Sequence, residues 1–340
     1  MHVLDHIVGL ARRSRMRVVL CEGHDPRVVQ AAQRAAHDGL ADIVLVGDPT
    51  TARQAAQPHG TDLSAIKLID PAHSLLIKEL RDALLLLRQK RGMTPEQAAQ
   101  AILDPLTFSM LMVRNGHAHA ALAGADHTTA EVVSQATRLI GAGPGNRQIS
   151  SFFIMLRDEP FHTDTRAMIF ADCGIVIDPT EQQLADIAIA AADNTQLLLN
   201  EPARVAMLSF STNGSARHSR VARVRRATDL VRAQRPDIAI DGEVQLDTAI
   251  VPEVAARKLP GSAVHGRANV LIFPNLDAAN IAYKMAERMG HATAIGPILH
   301  GLDKPANDMS RGCSIDDIYY MIAVTAVQAQ TKGRHPSSDE

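Results

Sequence analysis

Short apolar runs separated by helix-length amphipathic stretches constrain this chain more than any other feature. Arg17-Val-Val-Leu-Cys-Glu22 reads as a buried strand, Pro26 to His37 as a helix, and Asp42-Ile-Val-Leu-Val-Gly47 as the next strand. Consecutive apolar residues suit a strand covered on both faces, and the stretch between two such strands is long enough for a crossover helix. The pattern therefore predicts βαβ units and a parallel sheet. It continues with a helix-rich stretch from Ala72 to Gln100, a helix from Leu106 to Asn115, a strand Ala120-Ala-Leu-Ala-Gly124 and a helix from Thr128 to Ile140. Gly141-Ala-Gly-Pro-Gly-Asn146 then breaks the periodicity and marks a domain boundary. Beyond it, Ile149 to Leu156, Met168 to Ala171, Arg204 to Phe210, Ile238 to Asp241 and Asn269 to Phe273 read as strands. Thr180 to Asn194 and Asp277 to Gly290 read as helices, and Gly296-Pro297 as a return point. A second parallel α/β sheet follows, so the pattern alone gives two consecutive α/β domains.

Composition fits this. A length of 340 residues suits two domains, and 46% hydrophobic residues with only 3% aromatics imply cores of Ala, Val, Ile and Leu. A net charge of −2 with interspersed Arg and Asp argues against a nucleic-acid surface. The exception, Arg217-His-Ser-Arg-Val-Ala-Arg-Val-Arg-Arg226, suits either a polyanion or a solvated helix face. Cys21, Cys173 and Cys313 are too widely spaced for a disulfide framework and suit a reducing cytoplasm. No run is apolar enough to span a bilayer, and the N-terminus lacks the pattern of a secretory signal, so a soluble cytoplasmic protein is expected. His117, His119 and His127 have no Cys or carboxylate at metal-ligand spacing, so no metal is expected. The Gly141 to Gly145 run lacks the strand-loop-helix context of a phosphate loop and reads as a linker.

Chemistry concentrates in Lys304-Pro-Ala-Asn-Asp-Met-Ser-Arg-Gly-Cys-Ser-Ile-Asp-Asp317, which places Ser310, Arg311 and Asp317 ahead of a largely apolar helix. Ser314 and Asp317 have capping-box spacing, so Asp317 is either a cap partner or a working acid-base group. A guanidinium, a hydroxyl and a carboxylate near a helix N-terminus can bind an oxyanion and move a proton. Ser211-Thr-Asn-Gly-Ser-Ala216, between a strand and a helix, offers hydroxyls and backbone N–H groups to an anion, or is an ordinary capped loop.

The stretch from Ala294 to Ile318 resembles the signature of phosphate acetyltransferases, the phosphotransacetylases, within the phosphate acetyl/butyryltransferase family. Glu22 to Arg27, Asp104 to Phe108, Gly124 to Ala130, Ser150 to Phe153, Asp178 to Leu184, Ser211 to Ala216, Asp241 to Gln245 and Phe273 to Leu276 resemble further family blocks in family order. The resemblance covers about residues 15 to 330. It implies two parallel-sheet α/β domains with a cleft between them, similar to the isocitrate/isopropylmalate dehydrogenase-like fold. One would comprise residues 1–145 with 297–340, and the other, inserted, residues 146–296.

The resemblance further implies interconversion of acetyl phosphate and coenzyme A with acetyl coenzyme A and phosphate. A thiol with a pKa near 8.5 needs a base at neutral pH. Carried over by motif, Asp317 is that base, Arg311 holds the phosphoryl oxygens and Ser310 bonds the developing charge. Arg88, Thr128, Thr129, Ser211, Thr212, Gly214, Ser215 and Asn307 are the implied substrate-binding residues. Direct attack needs no metal or other cofactor, coenzyme A being a substrate, and Cys313 is not the nucleophile. A homodimer, formed through the second domain, is also implied. One position departs from the pattern. Ser134 stands where the family commonly has a phosphate-binding arginine, and Arg138 lies one helical turn further on. The alternatives are an acyltransferase for butyryl or another acyl group, and a non-catalytic acyl coenzyme A sensor. A redox enzyme would need a dinucleotide fingerprint or an acidic metal cluster, and neither is evident.

Overall fold

A computed structural model describes residues 3–157 and 166–332. The chain divides into two compact units, Met1–Asn146 with Gly301–Glu340, and Arg147–His300.

The first unit is built on five strands, Met16–Leu20 (β1), Ala41–Val46 (β2), Lys67–Ile69 (β3), Ala120–Ala123 (β4) and, after the inserted unit, Ala306–Asp308 (β11). Their order is β11-β4-β1-β2-β3, and every pairing is parallel. Val18, Val19 and Leu20 of β1 are all buried, as expected of a strand covered on both faces. The Pro26–His37 helix starts on Asp25, whose carboxylate accepts the Arg27 N–H, and Pro26 fills a first-turn position that needs no donor. The last helix, Ile315–Lys332, is buried almost continuously from Ile318 to Val327 and packs against Pro26–His37, Val3–Ala11 and β1. Its Gln330 amide donates to the carbonyls of Leu10, Ala11 and Ser14, and its Tyr319 hydroxyl to Asp38. These bonds return the C-terminal segment to the sheet where the chain began.

The second unit carries Ser150–Leu156 (β5), Ala167–Ala171 (β6), Arg204–Leu208 (β7), Ala239–Val244 (β8), Val270–Ile272 (β9) and Thr293–His300 (β10), in the order β10-β5-β6-β9-β7-β8. This sheet is mixed rather than parallel as the pattern predicts: β5 pairs antiparallel with both β6 and β10. The reason lies in the connection. Only the residues from 157 to 166 separate β5 from β6, too few for a crossover helix. Gly296-Pro297, read as a return point, instead sits inside the edge strand β10, where the register shifts between Ile295 and Ile298. Proline is tolerated at such an edge irregularity because no ladder hydrogen bond depends on its missing N–H. The basic run lies largely on the Ser219–Gln234 helix, where Arg223, Arg225 and Arg226 pair with Asp178, Glu243 and Glu181. No helix among the described residues is long and apolar enough to cross a membrane.

Candidate active site

In the first unit, β1, β4 and β11 are parallel neighbours, so the loops that follow them leave the same edge of the sheet. That edge is where open α/β sheets bind ligands. Glu22, just beyond β1, is 1% exposed and organises the loop after β4. Its carboxylate accepts the backbone N–H groups of Gly124, Ala125, Asp126 and His127 at 2.9 to 3.1 Å and lies 2.7 Å from His127 Nδ1. Burial alone would raise this carboxyl, but the His127 ring and the N–H groups more than reverse that and hold it at about 2. The same bond raises the His127 ring. The pinned loop delivers Thr128 as the cap of the Thr129–Leu139 helix, in a reciprocal box with Glu131.

The loop after β4 closes on the loop after β11. A Cβ on Gly124, whose φ is +112°, would come within 2.6 Å of Asp308 Oδ1 and the Met309 backbone, so only glycine fits there. Asp308 is completely buried. Neither of its oxygens has a partner with full hydrogen-bond geometry, although the Thr129 hydroxyl and Met309 N–H face it, and burial pushes the carboxyl up to about 7. Asn307, implied as a substrate-binding residue, is also completely buried. Its amide donates to Thr325 Oγ1 and Gln328 Oε1, both at 2.8 Å, and so braces β11 against the last helix.

Ser310 and Arg311 follow on an exposed turn, closed by the Cys313 N–H on the Ser310 carbonyl at 2.9 Å. Ser314 and Asp317 form the reciprocal box that their spacing predicts. Asp317 Oδ2 accepts from the Ser314 N–H and hydroxyl, and Ser314 Oγ accepts the Asp317 N–H. Asp317 therefore sits half-buried in the first turn of the last helix, three residues after the cap. Cys313 is 8% exposed, and burial pushes its thiol up to about 11, which leaves it a poor nucleophile.

The structure gathers Ser310, Arg311, Asp317, Thr128, Thr129 and Asn307 on these neighbouring loops and on the strand and helix ends that flank them. Arg88 ends the Ile77–Arg88 helix, half-buried, and no hydrogen bond or ion pair joins it to residues 310–317 among the described residues. Ser134 is half-buried on the Thr129–Leu139 helix and Arg138 is exposed near its end.

Ser211, Thr212, Gly214 and Ser215 belong to the second unit, on the loop after β7. Here the backbone groups expected for an anion are already engaged. Glu243, 2% exposed, accepts the Gly214 N–H at 2.8 Å and the Ser211 hydroxyl at 2.9 Å, while Ala216 N–H donates to Ser211 Oγ and Thr212 N–H to Ser215 Oγ. The three histidines are separately engaged: His117 with Glu79, His119 with the Arg17 N–H and His127 with Glu22. Cys21, Glu22 and His127 bring ligand-type atoms within 4.8 Å of one another. Burial and the Glu22 charge hold the Cys21 thiol protonated, however, and Glu22 is saturated by its N–H donors.

Sequence reasoning passes over Glu22, Arg27 and Asp308 as members of this site. Their signal is positional: an acid two residues beyond a buried strand, an arginine in the first turn of the next helix, and an acid at the end of β11 ahead of Ser-Arg.

Polar loops at one edge of a parallel sheet, carrying a hydroxyl, a guanidinium and a carboxylate beside a helix N-terminus, define an α/β protein equipped to handle anions and transfer protons. A family model described as phosphate acetyl/butaryl transferase matches residues 2–326, and the chain belongs to that family. The phosphate acetyltransferase of Thermoanaerobacterium thermosaccharolyticum is 44% identical over 330 residues, spanning 97% of this chain and 100% of that one. That of Clostridium acetobutylicum is 41% identical over 97% of this chain and 99% of its own length. Among solved structures, a phosphotransacetylase from Streptococcus pyogenes superposes with a TM-score of 0.90 at 39% identity, covering 97% of this chain and 98% of that one.

Proposed function

We propose that this protein is a phosphate acetyltransferase, interconverting acetyl phosphate and coenzyme A with acetyl coenzyme A and inorganic phosphate. Full-length similarity to phosphate acetyltransferases supports the reading. The observation that carries it onto this chain is the exposed Ser310-Arg311 turn running directly into the helix start that holds Asp317. In the forward step the Asp317 carboxylate takes the thiol proton, and the sulfur attacks the acetyl carbonyl. The C–S bond forms, the tetrahedral oxyanion collapses, and the C–O bond to phosphate breaks, so that phosphate leaves with the electron pair and takes up the proton that Asp317 held. Arg311 holds the phosphoryl oxygens and Ser310 donates to the charge that develops. Arg88, Thr128 and Thr129 are the proposed substrate contacts, and the reaction needs no metal or other cofactor. The proposed setting is the cytoplasm. The proposed assembly is a homodimer formed through the second unit, where Ile281, Met285 and Met289 are exposed at successive helical turns.

Thioester formation with competing acetyl and butyryl phosphates tests the acyl assignment. Acetyl phosphate is expected to give the higher kcat/KM by about tenfold or more, since each extra methylene in an apolar pocket changes selectivity by at least that order. A preference for butyryl phosphate would remove the acetyl assignment, and coenzyme A binding without turnover of either would favour the sensor.

A further inference from the structure

Among the described residues, Arg27 is the one arginine whose guanidinium joins the three loops just described. It stands in the first turn of the Pro26–His37 helix, where Asp25 caps the helix and also holds the Arg27 side chain. Nε–H donates to the Asp25 carboxylate, with its oxygens at 3.1 and 3.2 Å. The two protons of one terminal nitrogen go to the carbonyls of Arg311 at 2.8 Å and Cys313 at 2.9 Å. Those of the other go to Asp25 Oδ2 at 2.6 Å and the Ala125 carbonyl at 2.9 Å. A guanidinium has five N–H donors in a rigid plane, and here all five have acceptors within the protein. No donor remains for a phosphate or a carbonyl of substrate. An arginine beside an anion-handling turn would ordinarily be read as an anion ligand; this hydrogen-bond inventory contradicts that.

The partners are informative as well. Ala125 gives its N–H to Glu22 and its carbonyl to Arg27, so the loop after β4 is fixed from both sides. Arg27 then carries that fixation across to the backbone of the turn containing Ser310 and Arg311. Residues 310–312 of that turn are exposed, and its internal hydrogen bonds are those from the Cys313 N–H to the Ser310 carbonyl and from the Gly312 N–H to Ser310 Oγ at 3.3 Å. We infer that Arg27 is a positioning residue for acyl transfer, setting the backbone of residues 311–313 so that Ser310 and Arg311 point at the reacting group, without itself binding substrate. The inference rests on the acetyl-transfer reading above. Lysine cannot substitute, because an ammonium lacks the planar fork needed to reach two carbonyls on one side and a third carbonyl with a carboxylate on the other.

The test uses the full chain with Arg27→Ala and Arg27→Lys, the latter guarding against failure of the former to fold. A misplacement of the turn on the order of 1 Å is expected to lower kcat by about 10²-fold. KM for acetyl phosphate and for coenzyme A should stay within about threefold, since uniform binding is not what is lost. Guanidinium added to Arg27→Ala should restore part of kcat, whereas it should leave Arg27→Lys unchanged. Cys313 lies inside the clamped turn and is 8% exposed, while Cys21 and Cys173 are buried elsewhere. Maleimide labelling mapped by peptide mass should therefore accelerate at Cys313 alone. A variant with unaltered kcat and unaltered Cys313 labelling overturns the inference, as does a rise in KM for acetyl phosphate at constant kcat, which would make Arg27 a ligand. If the wild-type protein turns over no acyl phosphate, the activity reading fails, and the Cys313 labelling still decides whether the clamp exists.

Discussion

Buried carboxylates do much of the organising at the scale of single residues. Glu22 and Asp308 lie at the same sheet edge, yet their surroundings drive them in opposite directions. Glu22 is held at about 2, below its unfolded value, so its contribution is complete above the unfolded pKa and is lost as pH falls toward 2. The shift corresponds to about 3 kcal/mol as an order of magnitude. His127, raised by Glu22, contributes stability that is complete below its unfolded pKa and is lost as pH rises through its folded one. Asp308, raised to about 7, binds a proton more tightly in the native state, so stability declines as pH climbs from about 4 to about 7. Asp308→Asn, which keeps the shape and cannot ionise, is therefore expected to flatten that decline and to raise stability above neutrality by up to about 4 kcal/mol. Denaturant unfolding of wild type and Asp308→Asn across this range checks it. Equal pH slopes would show that Asp308 is ionised in the native state without penalty.

At the scale of elements, legibility in the sequence follows from how local the determining physics is. The Pro26–His37 helix and the Ser314-Asp317 box are legible because cap, proline and periodicity all lie within a few residues of the feature they determine. Strand β3, only three residues long, and β11, which follows Pro305, carry no periodicity of their own and exist through pairing with β2 and β4. The antiparallel β5-β6-β10 edge is illegible for a related reason: strand direction depends on the length of a connection, not on the composition of the strand. The Leu276–Arg288 helix raises the opposite question, since its pattern is clear but one apolar row stays uncovered. Ile281 is 58% exposed and Met285 52% exposed. If this row is the dimer face, Ile281→Lys with Met285→Lys should convert a dimer into a folded monomer in sedimentation velocity. A wild-type monomer at micromolar concentration would remove the proposal.

For the whole molecule, motif and physics reach different parts of the same site. Ser310, Arg311 and Asp317 are legible because they sit close together in one segment. Glu22, Arg27 and Asp308 are not, because their roles appear only when β1, β4 and β11 become neighbours and bring residues far apart in sequence within hydrogen-bond distance. The sequence blocks containing Glu22, Arg27 and Gly124 thus acquire a physical meaning: one carboxylate fixes a loop, one guanidinium ties that loop to the next, and one glycine permits their close approach. Asn307 shows the converse, a motif residue whose amide faces the interior of the unit.

In the proposed reaction Asp317 serves as the base and not only as a cap. Asp317→Asn separates the two, because an amide oxygen can still accept from Ser314 but cannot take a thiol proton. The measurement is the initial rate of thioester formation from acetyl phosphate and coenzyme A by wild type and Asp317→Asn, with their melting temperatures. Robust wild-type turnover is expected, with a loss of about 10²-fold or more in the variant at nearly unchanged melting temperature. A variant that turns over at the wild-type rate would contradict that role, leaving Asp317 as a helix cap.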